Sequence, residues 1–337
     1  MPWSLTRMAR YVQQCKYLQQ LKENDDLCSK AFEKGSYLLF SQEKPLLTRK
    51  EPGSPFQNVI SWRTFNEVEP FHPTVKQSSV VLGVADEADM TPLFVCSVPV
   101  EKEKEIESTY NSTFLDMRRA LFSLSDDDNQ LVSRGYSMSA WDENIKFCSY
   151  CGSSLERKIS GCSKVCSQKC NPQKMTHYPQ IHPVAITRVL NHSQDKILLV
   201  RQPRHPKGMY SCIAGFMEPG ETLNDNIRRE IAEEVGIVVE KVEYFQSQAW
   251  PLPQPSLMMA CTAVAMAGSE TMDIDKEELE DAKWFTKDEV QAALTRVVKN
   301  PKILRDNEKG ELVIPPHGAI AHELVKNWLN QYTPTKL

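Results

Sequence analysis

An α+β fold, with a mixed β-sheet held between helices, is what this sequence predicts, and three observations carry the expectation. Short apolar runs alternate with stretches of helical period, as expected of a sheet covered on both faces. Two pairs of cysteines fall between residues 148 and 170 with the spacing of metal ligands. Residues 222–235 join a helix-start signal to an unusual density of carboxylates. At 337 residues the chain can hold two or three domains of ordinary size.

Composition removes several classes. Charged residues make up 25%, hydrophobic ones 41%, and the formal net charge is -4. No long basic stripe offers the phosphate contacts of a general nucleic-acid binder. No apolar run reaches the roughly 18 residues of a membrane span. The ten cysteines are partly clustered rather than spread as a disulfide framework, which fits a reducing compartment.

The elements follow in chain order. Residues 1–22 carry Arg7, Arg10, Lys16 and Lys22 with no acid before Glu23, and as a helix they set Leu5, Met8, Val12 and Leu18 largely apart from that charge. Two readings stand: a mitochondrial targeting segment, or an ordinary basic amphipathic helix. The terminal Thr335-Lys336-Leu337 is a loose likeness of a peroxisomal address. Residues 23–140 are expected to form a small α/β N-terminal domain. Its strands are Ser36–Phe40, Val80–Val84 and Leu93–Val98, its helix is Phe114–Phe122, and a break falls at Ser125-Asp126-Asp127-Asp128.

Residues 141–177 hold the cysteine cluster. Cys148-x2-Cys151 and Cys166-x3-Cys170 are two knuckles able to close on one tetrahedral Zn2+, with Gly152 supporting the first turn. Four thiolates leave no open position, so such a metal is structural; Cys162 competes for one place, and unligated loop thiols are the plain alternative.

Residues 178–330 form the last domain. Strands Val184–Leu190 and Ile197–Val200 flank a turn at residues 191–195, and further elements are expected at Leu257–Met266 (strand), Asp288–Val298 (helix) and Ala319–Leu329 (helix). Between them Thr222 and Asp225 form a capping box, Leu223, Ile227 and Ile231 make the buried stripe, and Gly236 suits the helix end. Glu230, Glu233 and Glu234 then crowd one edge of the helix. Like charges so placed repel unless a hard divalent cation, Mg2+ or Mn2+, turns repulsion into chelation. An ordinary charged, solvent-exposed helix is the alternative. Glu278 is a candidate further ligand against a solvated acidic turn, and Glu221 is placed to pair with Arg229. Arg201, Arg204, His205 and Lys207 either meet phosphate or form a surface loop.

These residues fill the Nudix box, G-x5-E-x7-R-E-U-x-E-E-x-G-U with U aliphatic, at Gly215, Glu221, Arg229, Glu230, Ile231, Glu233, Glu234, Gly236 and Ile237. With the four-cysteine ribbon and SQAWPLPQPS at 247–256, the chain resembles the NADH pyrophosphatase branch of the Nudix hydrolases. YLLF, HYPQIHPVAIT, GMYS and PP-x3-IAH resemble its vertebrate mitochondrial members in particular. The resemblance implies a Nudix fold preceded by a four-cysteine zinc ribbon and an α/β N-terminal domain. It implies hydrolysis of NADH to reduced nicotinamide mononucleotide and AMP, with NADPH and NAD+ as further substrates. Family metal ligands fall on Glu230, Glu233, Glu234 and Glu278, and family substrate contacts on Tyr178, Phe216, Gln248 and Ala321. A homodimer in a mitochondrion is implied, with cytoplasm or peroxisome as alternatives. NAD-capped RNA is the alternative substrate, and a non-catalytic nucleotide-binding module the non-enzymatic reading. Ala249, Leu252 and Pro255 depart from the family run SQPWPFPxS, which bears on dinucleotide preference and leaves the metal ligands untouched.

Overall fold

The computed structural model describes residues 5–51, 53–54, 56–85, 89–171 and 175–331. Residues 1–4 of the basic segment and Thr335-Lys336-Leu337 lie outside them. The chain divides into two compact units, Met1–Gln180 and Ile181–Leu337.

In the first unit a seven-stranded mixed sheet has the path Asn58–Ile60, Lys44–Arg49, Ser36–Ser41, Pro92–Ser97, Val80–Val84, with two short strands attached. Its core gathers Leu21, Phe32, Tyr37, Leu39, Phe94 and Ile106. The basic segment continues into a helix, Leu5–Glu23. Leu21 is fully buried and Leu18 packs against the core, while Met8 and Val12 stay exposed. Of the expected apolar stripe, Met8 and Val12 are thus uncovered and Leu18 is covered.

Two expectations in this unit need correction. Phe114 is not in a helix: Thr113–Phe114 is a strand paired with Leu46–Leu47, and the helix is confined to Met117–Leu121. Ser125–Asp128 is not a break but a helix start. The Ser125 side chain accepts from the Asp128 N–H, and a helix runs from Asp126 to Asn144, with three aspartates in its first turn where the helix dipole favours them. Ala140 and Trp141 lie inside that helix. The cysteine segment folds as a three-stranded sheet, Leu155–Arg157, Lys164–Cys166 and Thr176–His177. It joins the rest of the unit through Val81, whose N–H donates to Ser160 O and whose carbonyl accepts from Cys162 Sγ.

The second unit is built on β1 (His182–Leu190), β2 (Lys196–Arg201), β3 (Ile213–Phe216), β4 (Val239–Trp250), β5 (Ser256–Ala265) and β6 (Asp281–Thr286), ordered β4-β5-β1-β2-β6 with β3 on β1. β1 and β5 run parallel from His182↔Ser256 to Leu190↔Val264; the other pairs are antiparallel. α1 (Leu223–Val235) and its apolar neighbours form one core cluster, and α2 (Lys287–Lys299) with α3 (Ile320–Asn330) enters another. The mixed sheet thus lies between helices, as the sequence predicts. No described helix is long and apolar enough to cross a membrane.

Candidate active site and zinc ribbon

α1 begins where its sequence says it should. Thr222 Oγ1 accepts from the Asp225 N–H, the Asp225 carboxylate accepts from Thr222, and Gly236 closes the other end at φ +68, a left-handed position suited to glycine. Ile227, Ile231 and Val235 are buried along one stripe. That burial fixes the rotation of the helix and so turns its carboxylate edge toward β3.

Arg229 organises that edge. Its Nε lies 2.6 Å from Glu221 Oε1, its Nη2 donates to Glu221 Oε2 and to Phe216 O at 3.0 Å each, and its Nη1 reaches Glu230 at 3.0 Å and Glu233 at 2.8 Å. One guanidinium therefore ties the end of β3, the loop and two carboxylates of α1. Buried Asn226 donates to Phe216 O at 2.8 Å as well. The Arg229 hydrogen bond first, then the Glu218 N–H, holds the Glu221 carboxyl down to about 2.

Glu230 rests on Gly215. A Cβ there would stand 1.8 Å from its Cδ, so only glycine leaves room for the carboxylate. Burial raises the Glu230 carboxyl above its ordinary range despite Arg229. Glu234 is enclosed, 3% exposed, and its Oε2 has no hydrogen-bond partner. Burial first, then the charges of Glu230, Glu278, Asp275 and Glu233, pushes its carboxyl up to about 8. Glu233 and Glu278 are exposed.

Glu278 reaches this neighbourhood on a fastened loop. The Asp275 N–H donates to Glu234 O, the Glu280 N–H to Arg201 O, and Leu279 between them is fully buried. Among the described residues no three of these carboxylates bring an oxygen each within 4.8 Å of the others, Glu230 and Glu233 being drawn to Arg229. The orphaned Glu234 oxygen, in a place where only added positive charge relieves four acidic neighbours, fits a hard divalent cation.

The basic loop before the box is held by its own surroundings. Arg201 pairs with Glu280 at 3.1 Å, Arg204 donates to Gln202, and Lys207 donates to Glu308 O. Phe216, the last residue of β3, is 51% exposed and meets the His182 ring edge-on at 6.1 Å. Gln248 spends both ends of its amide on the approach to α3: Nε2 donates to Gly318 O at 2.8 Å and Oε1 accepts from the Ile320 N–H at 2.9 Å. Ala321 sits in the first turn of α3, where amides have no carbonyl one turn back. Tyr178 belongs to the first unit and is exposed. Asn226 and Gly318 escape a reading by motif; Gly215 and Ile320 stand in motifs, but only the fold shows that the one seats Glu230 and the other donates to Gln248.

In the ribbon one sulfur from each of Cys148, Cys151, Cys166 and Cys170 lies within 4.8 Å of the others, with Cys148–Cys170 at 3.7 Å and Cys151–Cys166 at 3.5 Å. Tetrahedral Zn–S bonds of about 2.3 Å place sulfurs about 3.8 Å apart, so the residues fit the ion. Hydrogen bonds from Ser153 first, then from Cys170 and Cys166, hold the Cys151 thiol down to about 6, toward the thiolate that zinc requires. Cys162 stands outside this group, its Sγ donating to Val81 O.

A NUDIX domain family model matches residues 181–306. The human protein "NAD(P)H pyrophosphatase NUDT13, mitochondrial" is 35% identical over 349 residues, covering 99% of this chain and 96% of that protein. The chain belongs to the Nudix family. Among its relatives, the human "NAD-capped RNA hydrolase NUDT12" is 38% identical over 214 residues, covering 62% of this chain and 44% of that protein. The Caenorhabditis elegans "NAD-capped RNA hydrolase ndx-9" is 27% identical, covering 96% of this chain and 91% of that one. As a Nudix protein the chain has a Nudix-type metal-binding capacity, and its first unit carries a four-cysteine group compatible with zinc.

Proposed function

We propose that this chain is a metal-dependent NAD(P)H pyrophosphohydrolase, with NADH, NADPH and NAD+ as substrates. The observation that carries the reading is Glu234, a buried carboxylate with an unpartnered oxygen among acidic neighbours on the Nudix helix. End-to-end similarity to NAD(P)H pyrophosphatase from human supports the substrate class.

In this reading water attacks one phosphorus of the dinucleotide, the bond from that phosphorus to the bridging oxygen breaks, and reduced nicotinamide mononucleotide and AMP leave. Mg2+ or Mn2+, when bound, neutralises pyrophosphate oxygens and acidifies a water. Glu230 and Glu234, with Glu278 from its fastened loop, would hold the cation. Glu233, exposed on α1, is the group we propose to take the proton that water loses. Arg229 acts on carboxylate geometry rather than on substrate, since its donors are engaged by Glu221, Glu230, Glu233 and Phe216 O. Phe216 offers a ring face for a planar base, and Gln248 shapes the loop beside Ala321.

The test is AMP release from NADH with and without Mg2+ or Mn2+, for wild type and Glu230→Gln. Release that depends on metal and collapses in the variant supports the proposal; undiminished turnover in Glu230→Gln sinks it. Removal of an NAD cap from RNA is a second reading, favoured by the two relatives named as NAD-capped RNA hydrolases. kcat/KM for NADH against NAD-capped oligonucleotide, in one preparation, separates the two. We further propose a mitochondrial location and a homodimer, tested by fractionation of cells expressing the full chain and by sedimentation velocity.

A further inference from the structure

His317, His322 and Glu323 meet where the chain turns into α3. One ligand-capable atom from each lies within 4.8 Å of the others. The set shares no residue with the Nudix carboxylates or with the ribbon cysteines.

Three details go beyond a chance surface grouping. His322 is 4% exposed, and its Nδ1 lies 3.0 Å from Pro315 O. A carbonyl only accepts, so the proton sits on Nδ1 and the lone pair of the neutral ring on Nε2. Metal-ligating histidines are commonly fixed in this way, one ring nitrogen donating to a carbonyl while the other faces the ion. Glu323 contributes an enclosed Oε1 with no hydrogen-bond partner, and His317 Nδ1 stands 3.4 Å from it. The two imidazoles face each other edge to face at 6.0 Å between centroids. An ion pair between His317 and Glu323 accounts for two of the three groups. It leaves the pinned tautomer of His322, and its place in the cluster, without a purpose.

Two imidazoles and a carboxylate favour a borderline cation over magnesium, which seeks oxygen ligands alone. Ligand atoms at about 2.0–2.1 Å from a tetrahedral ion stand about 3.4 Å apart. The three atoms already lie within 4.8 Å of one another, so reaching that spacing requires shifts of about 1.4 Å or less, which fall to His317, with a side chain 47% exposed, and to Glu323. The positive end of α3 opposes a cation modestly, and the Glu323 carboxylate in its first turn offsets this.

We propose that His317, His322 and Glu323 form a zinc-class transition-metal site with three protein ligands and an open fourth position, separate from both the ribbon zinc and the Mg2+ or Mn2+ carboxylates. Gln248 already grips Gly318 and Ile320. A metal joining residue 317 to residues 322 and 323 fastens the same short loop a second time, next to Ala321.

The test uses the full chain with its ribbon loaded, in excess Mg2+ so that the carboxylates are served. Zinc content after equilibrium dialysis is compared among wild type, His317→Ala, Glu323→Gln and Cys151→Ser, with circular dichroism confirming that each is folded. Wild type is expected to hold one zinc ion more than His317→Ala. Glu323→Gln is expected to weaken that ion by roughly 10–100-fold, at least the loss seen when an outer-shell partner is removed. Cys151→Ser is expected to keep it while losing the ribbon ion. Cobalt in the same site should show ligand-field bands without thiolate-to-metal charge transfer. Equal zinc content in wild type and folded His317→Ala, or displacement of the additional ion by Mg2+, overturns the proposal.

Discussion

Replacing Gly215 by alanine should separate catalysis from stability. The new Cβ would lie 1.8 Å from Glu230 Cδ and 2.1 Å from each of its carboxylate oxygens. Carbon contacts settle near 3.5 Å, so the carboxylate must retreat by roughly 1.7 Å. Gly215 does not occupy the left-handed region, so alanine meets no backbone penalty there. The obstacle is the tip of a flexible side chain, which yields more readily than backbone, and the fold should lose no more than the roughly 1–3 kcal/mol of ordinary overpacking. Catalysis has less tolerance, because a misplacement near 1 Å can cost about 100-fold. At 1.36 kcal/mol per factor of ten, that is roughly 2.7 kcal/mol of barrier. The assay is AMP release from NADH at saturating Mg2+, beside thermal melting of the same samples. A kcat/KM within about threefold of wild type, well short of that roughly 100-fold loss, would refute the claim that glycine is there to seat Glu230.

Three other outcomes follow from the same geometry. Arg229→Gln should return the Glu221 carboxyl from about 2 toward its ordinary range; because the folded value lies below the unfolded one, the pair stabilises above the ordinary carboxylate range and loses that contribution as pH falls through about 2. An NMR titration in which Glu221 stays equally low in the variant would remove Arg229 as the cause. Cys151→Ser should release the ribbon zinc to a chromogenic chelator and lower amide protection across residues 148–170, and full retention of the metal would exclude Cys151 as a ligand. Leu21→Ala, at a fully buried position of the first core, should cost about 2–5 kcal/mol by urea unfolding, whereas a change within about 0.5 kcal/mol would mean that the end of the N-terminal helix is not integral to the unit.

The parts legible in the sequence are those written in local code. The capping box at Thr222 and Asp225, the apolar stripe through Ile227 and Ile231, and the left-handed Gly236 specify α1 with no help from distant residues. The central strands are equally plain because their side chains are buried on both faces. Misreadings arise where one residue type serves two purposes. Ser-Asp-Asp-Asp at 125–128 has the composition of a loop, yet it is also the best start a helix can have, and the polar helix behind it carries little apolar periodicity to betray itself. Phe114 continues a helical pattern on paper, but pairing with Leu46 decides in favour of a strand. Gln248 illustrates a different limit, since a sequence shows that an amide is present and only the fold shows that Gly318 and Ile320 use it.

The loop carrying Glu278 is stitched at Asp275 to the end of the carboxylate helix and at Glu280 to Arg201, and Leu279 nails its middle to the core. A side chain more than forty positions beyond Glu234 thereby arrives with its main chain already ordered. If Glu278 holds a cation as proposed, that binding has only rotamers left to freeze, so the loss of conformational freedom falls on folding rather than on each round of binding. Lengthening that loop, even far from any charged atom, should therefore loosen the grip on the ion while every ligand remains in place.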